Sequence, residues 1–251
     1  MKIIIYGACG KMGKTLAQTA INHNIHIAAG IDKFAESCNT DFPVFKSGKD
    51  CNINADVIID FSRPDSLEDL LLLADKFNAA LVIATTGYTE EQEKQINNFS
   101  LTHKVFKASN FSLGINLMAY LCKFCAKIMS DSDIEIIEKH HREKVDAPSG
   151  TALTLAKAVN SVFNNKKELL MGRTPNCGKR KNEIGIHAVR GGSIAGEHEV
   201  LFINDNEIIS LSHSAQNRNL FADGALKAAE FINSQQKNGM YSMEDLIKLS
   251  I

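Results

Sequence analysis

The sequence has no excess of charge of either sign, because 28 lysines and arginines stand against 29 aspartates and glutamates in 251 residues. This balance gives no general attraction to nucleic acid or to an anionic membrane surface. No apolar run approaches the roughly 20 residues that a membrane-spanning helix needs. The N-terminal residues lead into a strand and lack the apolar core of a secretory leader. We therefore expect a cytoplasmic protein without membrane or nucleic-acid partners.

Cysteine pairs with the spacing of a zinc site are also absent from the sequence. Cys122 and Cys125 form a CxxC, but no second Cys or His pair follows them at zinc spacing. Because they lie in a segment that we predict to be helical, 117–129, we interpret them as buried thiols. We expect all six cysteines to be reduced, and we predict no metal site.

Short apolar segments alternate with helical patterns through roughly the first 110 residues, as they do in a doubly wound sheet. The predicted strands are 3–6, 25–31, 57–61, 81–84 and 104–108. Their uninterrupted apolar residues are typical of buried parallel strands. The pattern predicts an α/β fold with a Rossmann-type dinucleotide-binding domain at residues 1–112.

The pattern changes after residue 113. Helices are predicted at 116–129 and 152–162, and antiparallel strands at 184–189, 197–203 and 207–213. A basic loop at 171–182 has the length and composition of a mobile segment. We predict a smaller mixed α/β domain at residues 113–217. An amphipathic helix near 219–232, within the segment of about 218–251, is expected to pack back on the first domain and to be followed by a short tail.

A glycine-rich turn follows the first predicted strand. It consists of Gly7, Ala8, Cys9, Gly10, Lys11, Met12 and Gly13, and it opens a helix. Such a turn lets the backbone approach a pyrophosphate at the helix N-terminus, although the spacing departs from the usual G-x-G-x-x-G. The next strand ends in Asp32, which is placed to bind an adenosine ribose, and Lys33 beside it can meet a 2′-phosphate. This pair leaves the choice between NADH and NADPH open.

Two later strands end in small or polar residues. The first group is Ala84, Thr85 and Thr86, and the second is Ala108, Ser109, Asn110 and Phe111. In a doubly wound sheet, the carboxyl ends of the strands line the crevice in which a dinucleotide lies. We expect both groups to lie along that crevice.

The densest group of chemically active side chains lies between a strand predicted at 134–137 and the helix that begins at 152. Here His140 and His141 can exchange protons near neutral pH, and Lys144 adds a positive charge. Pro148 disfavours helix just before it, and Ser149 is predicted to cap the following helix. The segment therefore joins proton-transfer groups to a helix N-terminus.

The start of that helix is predicted to bind an anion. Position 152 is alanine, so no capping box forms. We expect the N–H groups of Gly150, Thr151 and Ala152 to point outward, where the helix dipole suits a carboxylate or phosphate. Together with Lys144, these groups indicate a site that holds an anionic small molecule and gives it a proton.

These residues resemble the signature of the 4-hydroxy-tetrahydrodipicolinate reductase (dihydrodipicolinate reductase) family of the diaminopimelate route to lysine. The resemblance is carried by the motif Glu138-Lys-His140-His141-x-x-Lys144-x-Asp146-x-Pro148-Ser149-Gly150-Thr151-Ala152. It extends over nearly the whole chain and includes residues 7–13, 60–64, 85–87, 108–112 and 192–198. The double-histidine stretch is long and specific, whereas the glycine turn adds little alone.

The resemblance implies NAD(P)H-dependent reduction of 4-hydroxy-tetrahydrodipicolinate, a small dicarboxylate, to tetrahydrodipicolinate. It also implies that the second domain binds substrate and mediates a homotetramer, and that the domains close about a hinge. His140 and Lys144 are implied as proton donors or acceptors. The implied substrate contacts are His141, Ser149, Gly150 and Thr151. The implied cofactor contacts are residues 7–12, Asp32, Lys33, 84–86 and 108–111.

One departure from the family is Asp32, since many relatives carry glutamate at this position. The shorter side chain keeps its charge, so a contact with the ribose is still expected, while the preference between NADH and NADPH stays open.

Three other functions are compatible with parts of the pattern. A metal hydrolase could use His140, His141 and Asp146, but adjacent residues on a strand point to opposite faces and make poor joint ligands. A non-catalytic regulator that senses dinucleotides would need a partner surface, and the sequence has neither a helix-turn-helix pattern nor a basic stripe. A reductase of another small cyclic or imino acid would share the same chemistry.

Overall fold

The computed structural model of the chain describes residues 1–249. The chain forms two compact units. The first contains Met1–Leu113 and the chain from Arg218 onward, and the second contains Gly114–Asn217. One unit is built on a parallel sheet of Rossmann type and the other on a mixed sheet, so the predicted α/β fold class is confirmed.

The regular elements follow one another in the order that the sequence indicated, with additions. The strands are β1 Lys2–Tyr6, β2 His26–Ile31, β3 Val44–Phe45, β4 Val57–Asp60, β5 Ala80–Ile83, β6 Lys104–Lys107, β7 Asp133–His140, β8 Glu168–Met171, β9 Glu183–Arg190, β10 Glu197–Ile203, β11 Ile208–Ser214 and β12 Gly239–Tyr241. The α-helices are α1 Lys11–Asn22, α2 Leu67–Phe77, α3 Glu90–Ser100, α4 Leu113–Ile128, α5 Gly150–Val162, α6 Asn219–Ser234 and α7 Met243–Lys248.

The first unit is organised by a seven-stranded sheet in the order β12-β6-β5-β4-β1-β2-β3, in which every pairing is parallel. Its central strands are apolar on both faces because helices cover both. Helices α1 and α6 pack on one face, and α2 and α3 pack on the other. The carboxyl ends of the strands therefore meet along one edge.

The second unit contains a five-stranded sheet in the order β11-β10-β7-β9-β8. Along β7, Ile134, Ile136, Glu138 and His140 are buried, and the residues between them are more exposed. The buried isoleucines pack against helices α4 and α5. Since side chains alternate along a strand, Glu138 and His140 share the face that these helices cover.

Three expectations drawn from the sequence are wrong. Strand β9 pairs in parallel with both β7 and β8, although its alternation suggested an antiparallel strand. The residues after α6 form β12 and α7 rather than a tail, because β12 adds to the exposed edge of β6. A disulfide joins Cys9 to Cys38, so these two cysteines are not reduced.

The other four cysteines are free among the described residues. Cys122 is buried in α4 and Cys125 is partly buried, which agrees with their interpretation as packing thiols. Burial raises the pKa of the Cys122 thiol to about 12, so this group stays protonated at neutral pH.

Candidate active site

The glycine turn between β1 and α1 has a conformation that requires glycine. Gly7 has φ +86°, and a Cβ there would lie 2.7 Å from the carbonyl oxygen of Phe61. A Cβ on Gly13 would overlap the backbone of Gly7 and Ala8. Gly10 is the N-cap of α1 and has no side chain to cover the first N–H groups of the helix. The turn therefore offers backbone at close range, as a pyrophosphate requires.

Asp32, at the end of β2, is tied to this turn. Its Oδ2 accepts a hydrogen bond of 2.9 Å from the N–H of Cys9, and its Oδ1 accepts one of 3.0 Å from the N–H of Phe34. The Lys33 ammonium lies 5.3 Å from the centre of the Phe34 ring. The disulfide between Cys9 and Cys38 is a second link between the turn and the segment after β2.

The next group of predicted contacts lies at the ends of β5 and β6. Thr85, Thr86, Ala108 and Ser109 line a cleft of about 510 Å³. Ala84 donates its N–H to the carbonyl of Asp60, and Ala108 donates to the carbonyl of Ile83, so both extend the strand pairing.

The last two predicted contacts of this group, Asn110 and Phe111, make contacts within the protein. The Asn110 side chain accepts a hydrogen bond of 2.8 Å from the N–H of Ser112. The ring of Phe111 is buried and packs near Phe61 and Phe106 in the core of the first unit. Phe111 therefore contributes to packing at this edge.

In the second unit, His140 is the final residue of β7, because the strand runs three residues beyond its predicted end at 137. The imidazole is largely buried, with 10% of its side chain exposed. Its Nδ1 lies 2.6 Å from Oε2 of Glu138, which is fully buried. A Cβ on Gly196 would lie 3.0 Å from Nε2, so glycine keeps the other side of the ring open.

Glu138 has a complete set of hydrogen-bond donors. The Arg190 guanidinium binds it with two parallel contacts of 2.7 and 2.8 Å, and the N–H of Ser149 donates a bond of 2.9 Å. Burial by itself would raise the pKa of Glu138, but the hydrogen bonds from Arg190, His140 and Ser149 outweigh it and hold the pKa below its ordinary value. Glu138 is therefore a buried carboxylate that stays charged.

A second buried histidine, His198 on β10, stands beside His140. The two rings meet edge to face with centroids 5.2 Å apart, and Nε2 of His198 lies 3.1 Å from Oγ of Ser149. Burial, with a smaller electrostatic contribution from His140, lowers the pKa of His198 to about 4. At neutral pH, His198 is therefore uncharged.

The turn between β7 and α5 carries Lys144. Its ammonium is 22% exposed and lies 2.8 Å from the Asp146 carboxylate. The hydrogen bond from Lys144 is the largest effect on Asp146 and holds its pKa below the ordinary value, with a smaller contribution from the N–H of Gly150. A carboxylate is thus already held between Lys144 and the start of α5, and it belongs to the chain itself.

The predicted capping of α5 by Ser149 is confirmed, because its Oγ accepts a hydrogen bond of 3.2 Å from the N–H of Ala152. The expectation that the Ala152 N–H points outward is therefore wrong. Gly150 is exposed and Thr151 is partly exposed, so the first residues of α5 remain at the surface.

His141 is partly buried and follows the strand, while His140 ends it. Within residues 1–249, no group of three or more His, Cys, Asp or Glu side chains is arranged to hold a metal ion. No described helix is long and apolar enough to span a bilayer.

Sequence reasoning did not identify Glu138, Arg190 and His198 as parts of this group. A signal existed for Glu138, because it lies two residues before His140 on a strand and must share its face. Arg190 is 52 residues from Glu138, and His198 is 49 residues from Ser149. Only the pairing of β7 with β9 and β10 brings them together.

Two family models match the chain. The model for the N-terminus of dihydrodipicolinate reductase covers residues 1–111, and the model for its C-terminus covers residues 114–247. These two segments account for nearly all of the chain.

Full-length relatives carry the same description. A 4-hydroxy-tetrahydrodipicolinate reductase of Caldanaerobacter subterraneus subsp. tengcongensis is 48% identical, over 99% of this chain and 98% of the relative. One from Clostridium novyi is 47% identical, over 98% of both. These comparisons confirm the resemblance that the sequence motif indicated.

A solved structure shares the whole architecture. The dipicolinate-bound dihydrodipicolinate reductase from Paenisporosarcina sp. TG-14 matches with a TM-score of 0.81 and 27% identity, over 96% of this chain and 97% of that one. A probable dehydrogenase from Thermotoga maritima, at 10% identity and a TM-score of 0.60, shares the fold alone.

Proposed function

The chain belongs to the dihydrodipicolinate reductase family, and from that premise we propose how its own residues carry the reaction. The protein is an NAD(P)H-dependent oxidoreductase that converts 4-hydroxy-tetrahydrodipicolinate to tetrahydrodipicolinate on the diaminopimelate route to lysine. In this conversion the substrate gains a hydride and a proton and loses water. The protein must therefore hold two carboxylates and supply a proton.

The observation that carries the proposal is the convergence of His140, Lys144 and the N-terminus of α5 at one end of β7. A dicarboxylate needs cationic groups and backbone donors, and Lys144 with Gly150 and Thr151 provides them. We assign His141 as a further substrate contact. We also keep Ser149 as a proposed substrate contact, and its hydrogen bonds to Glu138 and Ala152 hold the turn in shape.

His140 and Lys144 are the proposed proton donors. An imidazolium or an ammonium group can give a proton to a substrate atom that gains electron density during reduction. Lys144 has to exchange Asp146 for a substrate carboxylate or a reacting atom, because the two side chains are paired in the free protein. The pairing keeps the ammonium close to the N-terminus of α5, because Asp146 also contacts the N–H of Gly150.

NADH or NADPH supplies the hydride, and the first unit has the features that fit it. Gly7 and Gly13 let the turn pack tightly against its own backbone, and Gly10 leaves the first N–H groups of α1 without a covering side chain, which suits a pyrophosphate. We propose residues 7–12 as its binding turn and Asp32 with Lys33 as the contacts to the adenosine ribose. We also assign Ala84, Thr85, Thr86 and residues 108–111 to the cofactor.

The test is the oxidation of NADH and NADPH, measured in parallel, on freshly generated 4-hydroxy-tetrahydrodipicolinate. We expect Lys144→Ala to lower kcat/KM by about 100-fold or more, because a positioned proton donor contributes at least that factor. The matched control is Lys139→Ala, which removes a lysine of β7 that is paired with Glu197 of β10. The control should stay within about threefold of the wild type, since an exposed ion pair is worth little.

Two outcomes would overturn this assignment. Equal losses of kcat/KM and of NADPH affinity in Lys144→Ala would show that the lysine supports the fold or the cofactor. A folded wild-type protein that binds NADPH and does not turn over this substrate would point to a different small acid. The ratio of the two cofactor rates measures the preference set by Asp32 and Lys33.

We also propose that the enzyme is a cytoplasmic homotetramer. The support is the family resemblance for the assembly and, for the location, a biosynthetic reaction that uses the NADH or NADPH pool. In a reducing compartment, Cys9 and Cys38 can also exist as two thiols. Sedimentation velocity at micromolar concentration tests the assembly, and a monomer there would contradict it.

A further inference from the structure

We propose that Glu138, held in place by Arg190, is the positioning residue for His140, and that it makes Nε2 the ring atom that gains and loses the transferred proton. This inference rests on the proposed role of His140 as a proton donor. It concerns two residues that do not themselves touch the substrate in the proposal. Glu138 is fully buried, and its contacts set the orientation and the tautomer of the imidazole.

The tautomer follows from what a carboxylate can do. An ionised carboxylate accepts hydrogen bonds and donates none. Since Glu138 is charged and its Oε2 lies 2.6 Å from Nδ1 of His140, the proton of that bond must be on Nδ1. The neutral ring then has its lone pair on Nε2 and gains or loses its second proton there.

Arg190 makes this arrangement rigid. Its two nitrogen atoms bind both oxygens of Glu138, so the carboxylate cannot rotate away from the ring. The same guanidinium donates a 2.6 Å hydrogen bond to the carbonyl of Asp146, in the turn that carries Lys144. One arginine thereby connects the two proposed proton donors through backbone and carboxylate contacts.

The surroundings of Nε2 leave it as the reactive side of the ring. Gly196 lies against it, and glycine is the residue that leaves the most space there. His198 packs against His140 edge to face and is neutral, so it adds no competing charge. The ring is thus held by Glu138 at Nδ1 and by the edge-to-face contact with His198.

The first experiment compares Glu138→Gln with the matched control Glu135→Gln. Glu135 lies on the same strand, also binds arginine and histidine side chains, and has no proposed role in catalysis. We expect Glu138→Gln to lower kcat by about 100-fold, the lower end of what general acid–base catalysis contributes, with KM changed less than about threefold. Glu135→Gln should leave both constants within about threefold of the wild type.

A kcat of Glu138→Gln within threefold of the wild type would overturn the proposal. An equal loss of kcat in both variants would also overturn it, because it would indicate a general effect of a lost buried charge. Should Glu138→Gln fail to fold, Arg190→Lys serves as the second variant. Lysine keeps a cation beside Glu138 but cannot form the bidentate contact of an arginine. We expect kcat to fall about tenfold without a change in NADPH affinity.

The second measurement does not depend on turnover. The ring ¹⁵N chemical shifts of the histidines report which nitrogen is protonated, and the spectrum of His140→Gln assigns the signal of His140. We expect the Nδ1–H form in wild type and a loss of that preference in Glu138→Gln. An Nε2–H ring in the wild-type protein would overturn the positioning role even if the enzyme is active. A wild-type protein without activity but with the Nδ1–H ring would leave this inference standing and reject the proposed substrate.

Discussion

Strand β7 carries two glutamates that each bind arginine and histidine, on opposite faces of the same sheet. We call Glu138 with Arg190 and His140 the Glu138 cluster. The other, the Glu135 cluster, consists of Glu135 with Arg173, Arg180 and His187. The residue types are the same. The two glutamates are three positions apart, an odd number, so the alternation of side chains along the strand places them on opposite faces.

The two clusters differ in burial and in what lies next to them. The Glu138 side chain is fully buried beside the N-terminus of α5, whereas 14% of the Glu135 side chain is exposed. Glu135 binds arginines from the basic loop, so it fastens that loop to the sheet. The Glu138 cluster thus differs from the Glu135 cluster in adjoining the N-terminus of α5.

The largest expected difference between the clusters is in stability. Arg190→Met leaves Glu138 buried without its charged partner, which costs about 3 kcal/mol or more of the free energy of unfolding. His187→Gln leaves Glu135 with Arg173 and Arg180, so we expect a loss of less than about 1 kcal/mol. Urea unfolding at pH 7 and equal protein concentration measures the free energy of unfolding of both variants. Losses of the same size would contradict the expected difference between the two clusters.

The next difference appears on acidification. His198 has a pKa of about 4 in the folded protein because burial and His140 disfavour its charged form, and an unfolded histidine titrates near 6.5. The unfolded chain therefore binds the extra proton first, and stability falls as the pH drops from about 6.5 to about 4. The loss is on the order of 3 kcal/mol over this window.

The two carboxylates affect the stability at lower pH than His198 does. The pKa of Glu138 and of Glu135 is depressed in the folded protein, since arginine and histidine contacts outweigh burial. Their ionised forms stabilise the folded protein fully above the ordinary carboxyl pKa of about 4.3. This part of the free energy of unfolding is lost as the pH falls below that value. His198→Gln should reduce the slope of the free energy of unfolding against pH between pH 6.5 and 5. The decline below about pH 4.3, which comes from the carboxylates, should remain. An unchanged slope in urea titrations at pH 7, 6 and 5 would contradict this assignment.

The smallest predicted changes come from a glycine beside each cluster. In Gly196→Ala, a methyl group 3.0 Å from Nε2 of His140 crowds the reactive side of the ring. We expect kcat to fall about tenfold with a stability change below about 1 kcal/mol. In Gly185→Ala, the methyl displaces the flexible end of Glu135. Here we expect a stability loss of about 1 kcal/mol, with kcat within twofold of the wild type. Steady-state kinetics and urea unfolding of both variants measure kcat and stability. A larger loss of kcat in Gly185→Ala than in Gly196→Ala would contradict the prediction.

Local patterns in the sequence were enough for most of the fold. The continuous apolar residues of β1, β4 and β5 predict buried parallel strands, because such strands must be apolar on both faces. Ser149 predicts the cap of α5, and the structure confirms it. These features depend on residues that are close together in the chain.

Features that depend on distant partners were not predictable in this way. The direction of β9 is set by its neighbours β7 and β8, and its own alternation carries no information about it. The disulfide between Cys9 and Cys38 spans 29 residues, and spacing alone does not indicate which cysteines pair. In the candidate site, the histidines and Lys144 were visible as a cluster, while Arg190 reaches Glu138 only through the sheet.

The order of the two units along the chain has a consequence for synthesis on the ribosome. The first unit is interrupted after Leu113 and resumes at Arg218, with α6 and β12 among its late parts. Strand β12 completes one edge of the seven-stranded sheet, and α6 covers one of its faces. The second unit is continuous, so all its strands have left the ribosome before the first unit has its last helix and strand. During translation the inserted unit can complete its own core while the sheet around the glycine turn still lacks a covering helix.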